Sequence, residues 1–171
     1  MLSFCSPFHH DTAYFGGYPT KAHFQELVEN NFTYFIDLTT LRERQRLEYD
    51  YSLDIPHYKN LFYINFSIVD NNIPCSPRLY IEFLEFLSTI FQTNQKVYIH
   101  CKGGHGRSSL LVASILCYLF FYQPVDAFIK TKQYHDSRPN LKTKYKGISC
   151  PQLYSQRKFI IDLYHSMTKN I

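Results

Sequence analysis

The segment from Val97 to Tyr122 constrains the fold of this chain more than any other part of its 171 residues. An apolar run of three residues leads into a ten-residue loop that contains three glycines, and a second apolar run follows from Leu110. This order predicts a buried strand, a glycine-rich loop and a buried helix. Such a loop can turn its backbone N–H groups inward beside the positive end of the helix dipole, so the segment predicts an anion-binding site.

Cysteine opens this loop and arginine closes it. A thiol at Cys101 should lose its proton readily, because the loop N–H groups and Arg107 would stabilise the thiolate. The sequence therefore predicts a nucleophile inside a phosphate-shaped cradle. On the residues alone, the alternative is a buried structural cysteine in a glycine-rich turn.

The pattern from His100 to Ser108 is His-Cys, five residues, Arg and Ser, and it resembles the signature of the cysteine-dependent protein tyrosine phosphatases. The modest chain length fits the compact, dual-specificity-like branch of that superfamily. The segments 15–19, 35–39 and 151–157 also look like landmarks of small tyrosine phosphatase-like proteins of bacteria and large DNA viruses. The resemblance implies a phosphoprotein phosphatase that hydrolyses phosphotyrosine and also phosphoserine and phosphothreonine through a cysteinyl-phosphate intermediate, without a cofactor or a metal ion.

The resemblance assigns catalytic roles to five residues. Cys101 is the nucleophile, and Arg107 clamps the transferring group with its planar fork. Asp70 takes the position of the general acid, which protonates the leaving oxygen. Ser108 would donate its hydroxyl to the sulfur, and Gln156 would position the hydrolytic water. An ordinary helix serine, a turn aspartate and an exposed helix glutamine are the respective alternatives for Ser108, Asp70 and Gln156.

The remaining loop residues are predicted to bind phosphate together with Arg107, and they are Lys102, Gly103, Gly104, His105 and Gly106. His100 precedes the nucleophile on the strand, where neighbouring side chains point to opposite faces. We therefore expect His100 to be a buried residue that organises the loop rather than a general base.

Phosphatases for two other substrate classes carry characteristic residues at defined positions of this loop. Phosphoinositide phosphatases of the superfamily often carry two lysines, and here Lys102 occupies one position and His105 the other. A protonated His105 could supply the missing cation at mildly acidic pH. RNA 5′-triphosphatases carry asparagine before the arginine, and Gly106 stands there instead. An inactive phospho-binding module of the same fold is a further alternative. Such modules commonly lack one of the three residues that correspond to Cys101, Arg107 and Asp70, and this chain has all three.

The five cysteines contain no Cys-x-x-Cys pair, which argues against a zinc site and a disulfide scaffold. We expect a reducing compartment, the cytoplasm, or the host cytoplasm for a viral protein. The N-terminus does not resemble a signal peptide, and the run from Leu110 to Tyr122 is too short to span a membrane.

Basic residues are concentrated in the segment 130–158, which contains eight lysines and arginines. The simpler interpretation is a solvated basic face, and the functional one is a guide for an anionic partner, such as an acidic phosphopeptide, an anionic inositol lipid or RNA. The abundant aromatic residues are predicted to be core rather than a nucleic-acid platform.

Strand and helix patterns alternate along the chain. We predict strands at 13–18, 33–38, 61–66 and 97–99, and helices that begin at Thr20, after Thr39 or Thr40, at Pro77, at Leu110, at Val125 and at Pro151. This alternation predicts an α/β fold, a three-layer sandwich with a central, mostly parallel sheet flanked by helices, in a single domain over residues 1–171. The loop would lie at the carboxyl end of a central strand, where open α/β sheets bind ligands.

Overall fold

Five strands form one sheet in residues 2–168, the part of the chain that the structure, a computed structural model, describes. The strands are β1 (Cys5–His9), β2 (Ala13–Gly16), β3 (Phe32–Asp37), β4 (Phe62–Asn65) and β5 (Lys96–His100). Their order across the sheet is β1-β2-β5-β3-β4, and β1 pairs with β2 in the antiparallel sense while the other pairs are parallel. Strand β5 therefore lies in the middle, with the predicted anion loop at its carboxyl end.

Six α-helices accompany the sheet in these residues. They are α1 (Lys21–Glu29), α2 (Leu41–Arg44), α3 (Pro77–Phe91), α4 (Arg107–Tyr118), α5 (Pro124–Asp136) and α6 (Tyr154–Thr168). Short 3₁₀ turns lie at Tyr51–Leu53, Ile55–His57 and Thr143–Tyr145.

The sheet separates two hydrophobic clusters. Val97 and Ile99 of β5 pack in one cluster with side chains of α3, α4, α5 and α6. Tyr98, between them on the strand, packs in the other cluster with α1 and the first two 3₁₀ turns. Because successive strand residues point to opposite faces, this alternation places helices on both sides of the sheet. The predicted three-layer α/β sandwich is confirmed.

Helix α4 is buried on every side, since each residue from Arg107 to Cys117 is buried. A helix without a polar face belongs in the core of a protein. It ends at Tyr118, four residues before the end of the predicted apolar run. The reason is local: Phe121 adopts a left-handed backbone with φ of 58°, and the N–H of Tyr122 donates to the carbonyl of Leu116.

Strand β1 and helix α6 also differ from the sequence-based expectation. Strand β1 was not predicted, because Ser6 and Pro7 weaken its strand pattern; proline is tolerated there because β1 is an edge strand. Helix α6 begins at Tyr154 rather than Pro151, since the carbonyl of Pro151 accepts from the Arg157 side chain. Helix α2 is one turn long, and Thr40, one of its two predicted caps, is the residue that caps it.

Candidate active site

The loop from Cys101 to Arg107 is held in place through its carbonyl groups. These oxygens accept hydrogen bonds from outside the loop: that of Lys102 from the N–H of Tyr18 at 3.1 Å, that of Gly104 from Arg138 Nη2 at 3.4 Å, and that of Gly106 from the N–H of Leu110 at 2.8 Å. Because these three carbonyls bind groups outside the loop, we expect the loop N–H groups to face the interior, as that of Gly104 does. The loop is thus a cradle of donors, the arrangement that binds anions.

Gly104 is required by both conformation and space. Its φ is +77°, in the left-handed region that side chains disfavour, and a Cβ there would lie 2.5 Å from Gly16 C and Gly17 N. The end of β2 thus fits directly against the loop, which fixes the loop relative to the sheet.

Cys101 lies at the bottom of this cradle and is 3% exposed. Its Sγ accepts a hydrogen bond from the N–H of Gly104 at 3.2 Å, and Ser108 Oγ lies 3.5 Å from the sulfur. The structure thus brings two sequence-predicted residues, Cys101 and Ser108, within hydrogen-bond reach of each other.

The Arg107 guanidinium is 1% exposed and is surrounded by acceptors. Nη1 and Nη2 donate to the two carboxylate oxygens of Glu43, each at 2.8 Å, and Nη1 also donates to the carbonyl of Ile68 at 2.8 Å. Nη2 lies 2.9 Å from Asp70 Oδ1. Burial alone would lower the pKa of Arg107, but Glu43, Cys101 and Asp70 raise it, so the group remains a cation.

Glu43 is a site residue that the sequence analysis did not identify. Glu43 occupies the third position of α2. Its side chain accepts a hydrogen bond from the N–H of Thr40, and the N–H of Glu43 donates in return to the Thr40 hydroxyl. Burial alone would raise the pKa of Glu43, yet the hydrogen bonds from Arg107 and Thr40 outweigh it and bring the pKa to about 2. The capping-box pattern, Thr40 followed by Glu43, was the only signal, and it does not point to Arg107.

Asp70 lies in the loop between β4 and α3, and its side chain is 59% exposed. The structure places this carboxylate at the mouth of the cradle, bound to the same guanidinium as Glu43. The sequence-predicted pair, Asp70 and Arg107, thus meets across 37 positions of the chain.

His100 is completely buried behind the loop. Its Nε2 lies 2.6 Å from the hydroxyl of Tyr51, and its Nδ1 lies 3.8 Å from Asp37 Oδ1. Burial lowers the pKa of His100, which keeps the ring neutral. Asp37 is likewise buried, and it accepts hydrogen bonds from Thr39, Arg44 and Tyr63. These groups lie beneath the cradle, where they can support its first residue.

Gln156 of α6 connects two parts of the site. Its Nε2 donates to the carbonyl of Asn72, two residues beyond Asp70, at 3.1 Å, and its Oε1 accepts from the N–H of Leu153. A Cβ on Gly106 would lie 3.4 Å from Gln156 Nε2, so the amide lies against the loop. Gln156 is 1% exposed, which differs from the ordinary exposed glutamine that was the alternative.

A cavity of about 380 Å³ opens onto these groups. Cys101, Arg107, Asp70 and Gln156 line it together with Lys102, Gly103, His105 and Gly106 of the loop, and with Asn71, Tyr145, Gln152 and Leu153 at its rim. A larger cavity, about 720 Å³, lies at the other end of the parallel strands and is lined by no cysteine, histidine or carboxylate. The smaller cavity is the candidate active site because it alone of these two contains a nucleophile and a cation.

His105 does not provide the second cation that the sequence allowed for. The pKa of His105 is lowered to about 4. Burial is the largest cause, and the nearby His135, Arg138 and Lys144 add to it. At mildly acidic pH the ring is therefore neutral. Lys102, which is exposed, is the one cationic side chain that the loop itself adds beside Arg107.

The basic segment 130–158 is not a uniform face. Arg138 is buried, while Lys132 and Lys158 form ion pairs with Asp136 and Asp162. The exposed lysines that remain are Lys130, Lys142, Lys144 and Lys146. Three of them flank Tyr145 at the rim of the cavity, so the positive charge is concentrated beside the site.

Residues 2–168 contain neither a membrane-spanning helix nor a cluster of metal-binding side chains. No helix in that range is both long enough and apolar enough to cross a membrane. No group of three or more His, Cys, Asp and Glu side chains in the same residues is arranged to hold a metal ion.

Comparison with known proteins gives a family and several relatives. Residues 12–119 match the family described as polymorphic toxin system, DSP-PTPase phosphatase. The chain is 32% identical over 153 residues to protein 067L of Invertebrate iridescent virus 3, a candidate tyrosine phosphatase, with 88% of this chain and 61% of that protein covered. It is 36% identical over 126 residues to the candidate tyrosine phosphatase 197R of Invertebrate iridescent virus 6, with 72% of this chain and 45% of that protein covered. The chain thus spans about half the length of these relatives.

Solved structures share the fold. A mutant form of Tk-PTP superimposes with a TM-score of 0.79 at 19% identity, covering 99% of both chains. PTPMT1 in complex with PI(5)P superimposes with a TM-score of 0.74 at 20% identity, covering 98% of both chains.

Proposed function

Because this chain belongs to the DSP-PTPase phosphatases, a compact branch of the cysteine-dependent tyrosine phosphatase superfamily, we propose that it hydrolyses phosphate monoesters on proteins. The substrates are phosphotyrosine, phosphoserine and phosphothreonine. The observation that carries the proposal is the cavity that Cys101, Arg107 and Asp70 line together, with an amide N–H directed at the sulfur.

The proposed first step transfers the phosphoryl group to the protein. The Cys101 thiolate attacks phosphorus and forms a P–S bond while the bond from phosphorus to the ester oxygen breaks. Asp70, protonated in the substrate complex, gives its proton to that departing oxygen, so the alcohol or phenol leaves neutral.

The second step returns the enzyme to its starting state. Water attacks phosphorus, Asp70 accepts its proton, and the P–S bond breaks to release inorganic phosphate and the thiolate. Gln156 is the proposed positioning residue for the water, since it lies between Gly106 and the Asp70 loop. Ser108, 3.5 Å from the sulfur, would stabilise the departing thiolate by donating its hydroxyl hydrogen.

Arg107 can bind the phosphoryl group after one exchange of partners. Glu43 occupies the end of the guanidinium, formed by Nη1 and Nη2, whereas Asp70 contacts Nη2 only. Nε makes no hydrogen bond within residues 2–168. When a phosphoryl group replaces Asp70 at Nη2, it gains Nε and Nη2 as a two-donor fork, and Asp70 becomes free to face the leaving oxygen.

A phosphoinositide phosphatase is the second candidate function. Lys102 in the cavity favours it, as does the shared fold with PTPMT1, which was solved with PI(5)P bound. The neutral His105 disfavours it, because a polyphosphorylated head group needs more than one cation beside Arg107. The five unpaired thiols, all within residues 2–168, support our proposal that the protein works in a reducing compartment, the cytoplasm of its cell or host.

The test is turnover, without added metal, of phosphotyrosine, phosphoserine and phosphothreonine peptides beside inositol monophosphate and bisphosphate lipids. We expect release of phosphate from the peptides at a higher kcat/KM than from the lipids. Cys101→Ser should abolish turnover yet still bind tungstate, since the hydroxyl fits the cradle but does not ionise near neutral pH. Acid quenching of the wild type should trap a phosphorylated cysteine.

Cys75→Ser is the matched control, because Cys75 is exposed and lies outside the cavity. It should retain wild-type turnover. Activity of Cys101→Ser above a tenth of wild type would refute the nucleophile assignment, and faster turnover of the lipids would favour the second candidate.

A further inference from the structure

A chain of hydrogen bonds leads from α5 into the Cys101–Arg107 loop. Asp136 Oδ1 lies 3.0 Å from His135 Nδ1, and His135 Nε2 lies 2.8 Å from His105 Nδ1. His135 is completely buried, and Lys132 binds the other carboxylate oxygen of Asp136. The proposed reaction uses none of these three α5 residues.

This chain determines which nitrogen of His105 carries the proton. A carboxylate can only accept, so His135 holds its hydrogen on Nδ1 and donates it to Asp136. Burial lowers the pKa of His135 and leaves it neutral, so its Nε2 has a free lone pair. That lone pair accepts from His105 Nδ1–H. His105 is neutral as well, and its Nε2 is therefore an unprotonated acceptor.

The ring that carries this acceptor is fixed in position. His105 stacks on Tyr145, with ring centroids 3.9 Å apart and planes 26° apart. A Cβ at Gly103 would lie only 3.1 Å from His105 Cδ2, so the loop backbone closely borders the ring edge. Nε2 has no hydrogen-bond partner in residues 2–168 and is not buried, and His105 lines the cavity of Cys101 as well as a neighbouring cavity of about 410 Å³.

We propose that His105 is a specificity-determining residue whose Nε2 accepts a hydrogen bond from a neutral N–H donor of the phosphopeptide beside the phosphorylated group, and that Asp136 and His135 are the positioning residues that keep it an acceptor. The inference rests on the proposed phosphatase function. A lone pair at this place repels a second anion, since it cannot donate to a carboxylate or a second phosphate. This position therefore selects a neutral group immediately beside the phosphate.

Two aryl phosphates that differ in one group provide the measurement: 3-carbamoylphenyl phosphate, with an N–H donor, and 3-carboxyphenyl phosphate, with an anion. The quantity of interest is the ratio of their kcat/KM values. His105→Asn keeps a donor for His135 but places nothing at the Nε2 position, and its ratio corrects for the intrinsic reactivity of the two esters. We expect the wild-type ratio to exceed that of His105→Asn by about tenfold, the effect of one hydrogen bond of roughly 1.4 kcal/mol.

Asp136→Asn gives the sharper test, because Lys132 can only donate. The new amide must direct its oxygen at Lys132 and its NH₂ at His135, which reverses every bond in the chain. His105 Nε2 then carries the hydrogen and becomes a donor. We expect the substrate ratio to shift toward the carboxylate, while Asp136→Glu, which keeps an acceptor, restores the wild-type ratio. His165→Asn, at an exposed histidine of α6, should leave the ratio unchanged.

Imidazole ¹⁵N NMR reports the proton directly and does not depend on turnover. We expect an unprotonated Nε2 signal from His105 in the wild type at pH 7 and a protonated one in Asp136→Asn. A protonated Nε2 in the wild type, or a His105→Asn ratio equal to that of the wild type, would overturn the inference. Loss of turnover on both esters with the expected NMR signal would instead count against the proposed function.

Discussion

At the scale of single residues, Glu43 and Arg107 form the contact on which the electrostatics of the site depend. Each carboxylate oxygen of Glu43 lies 2.8 Å from a different guanidinium nitrogen, so the pair has the two-donor geometry that fixes the plane of an arginine. The same Glu43 also caps α2. One side chain therefore joins the start of a short helix to the cation at the start of α4.

Glu43→Gln separates these two roles, because glutamine at this position still completes a capping box. We expect kcat/KM to fall on the order of 10²-fold, since a misplaced Arg107 no longer meets the phosphoryl oxygens. The free energy of unfolding at pH 7 should fall by roughly 1.5–3 kcal/mol, the range for a hydrogen bond to a charged group.

The pH dependence of stability should change as well. The pKa of Glu43 is lowered to about 2, so its contribution is complete above the usual carboxyl value near 4.3 and disappears as the pH falls towards 2. In chemical denaturation from pH 7 to pH 2, the free energies of unfolding of the wild type and Glu43→Gln should therefore converge as the pH falls below about 4.3. Glu29→Gln, at an exposed position of α1, is the control; a constant difference down to pH 2 would contradict the assignment.

Arg107→Lys should be nearly as damaging as Arg107→Ala. The ammonium of lysine cannot donate hydrogen bonds to two oxygens of Glu43 and, at the same time, to two oxygens of a phosphoryl group. We therefore expect both variants to lose on the order of 10²–10³ in kcat. Steady-state kinetics on a phosphotyrosine peptide measure the loss. A lysine variant that keeps most of the wild-type rate would show that Arg107 supplies charge alone.

At the scale of elements, the loop between β4 and α3 carries a carboxylate that competes with the substrate. Asp70 binds Arg107 Nη2 at 2.9 Å in the ligand-free protein and is 59% exposed, so it can leave that position readily. Without substrate, the Asp70 side chain thus binds Arg107 in the anion site. With substrate bound, it faces the leaving group instead.

Asp70→Asn tests both aspects. We expect kcat on phosphoserine and phosphotyrosine peptides to fall about 10²–10⁴-fold, with a much smaller loss on p-nitrophenyl phosphate, whose leaving group needs no proton. Tungstate should bind at least as tightly as to the wild type, because asparagine gives Arg107 a weaker competing partner. Asp126→Asn is the exposed control. An equal loss on every substrate would mean that another residue is the acid.

The elements that the sequence predicted are those whose signals are local. The strand, loop and helix around Cys101 follow from consecutive apolar runs and glycines, and the start of α3 from Ser76 and Pro77. Glu43 could not be found in this way, because it meets Arg107 only after folding brings together positions 64 residues apart. The tautomer of His105 likewise depends on Asp136, an ordinary charged residue of α5 in the sequence.

At the scale of the whole molecule, folding redistributes the positive charge of the segment 130–158. Burial and ion pairing remove Arg138, Lys132 and Lys158 from the surface potential, while Lys144 lies over the ring of Tyr145 at 4.9 Å. The uncompensated lysines around Tyr145 therefore border the cavity, where they can guide an acidic substrate.

A triple replacement, Lys142→Gln with Lys144→Gln and Lys146→Gln, should lower kcat/KM for an acidic phosphopeptide at low salt and flatten its dependence on ionic strength. A neutral phosphopeptide should respond less. The same change at Lys21, Lys59 and Lys130, which are exposed and do not line the cavity of Cys101, is the control. An equal response to both triple replacements would show that only net charge matters.

Contacts from the C-terminal part of the chain to the loop bear on how this architecture can be inherited. Arg138 binds the loop carbonyl at Gly104, His135 binds His105, and Gln156 of α6 lies against Gly106. All three follow residue 119, where the family match ends. The segment that must be inherited together is therefore longer than the segment that the family match covers. A recombination event that transferred residues 12–119 alone would supply Cys101 and Arg107 without the later residues that contact their loop.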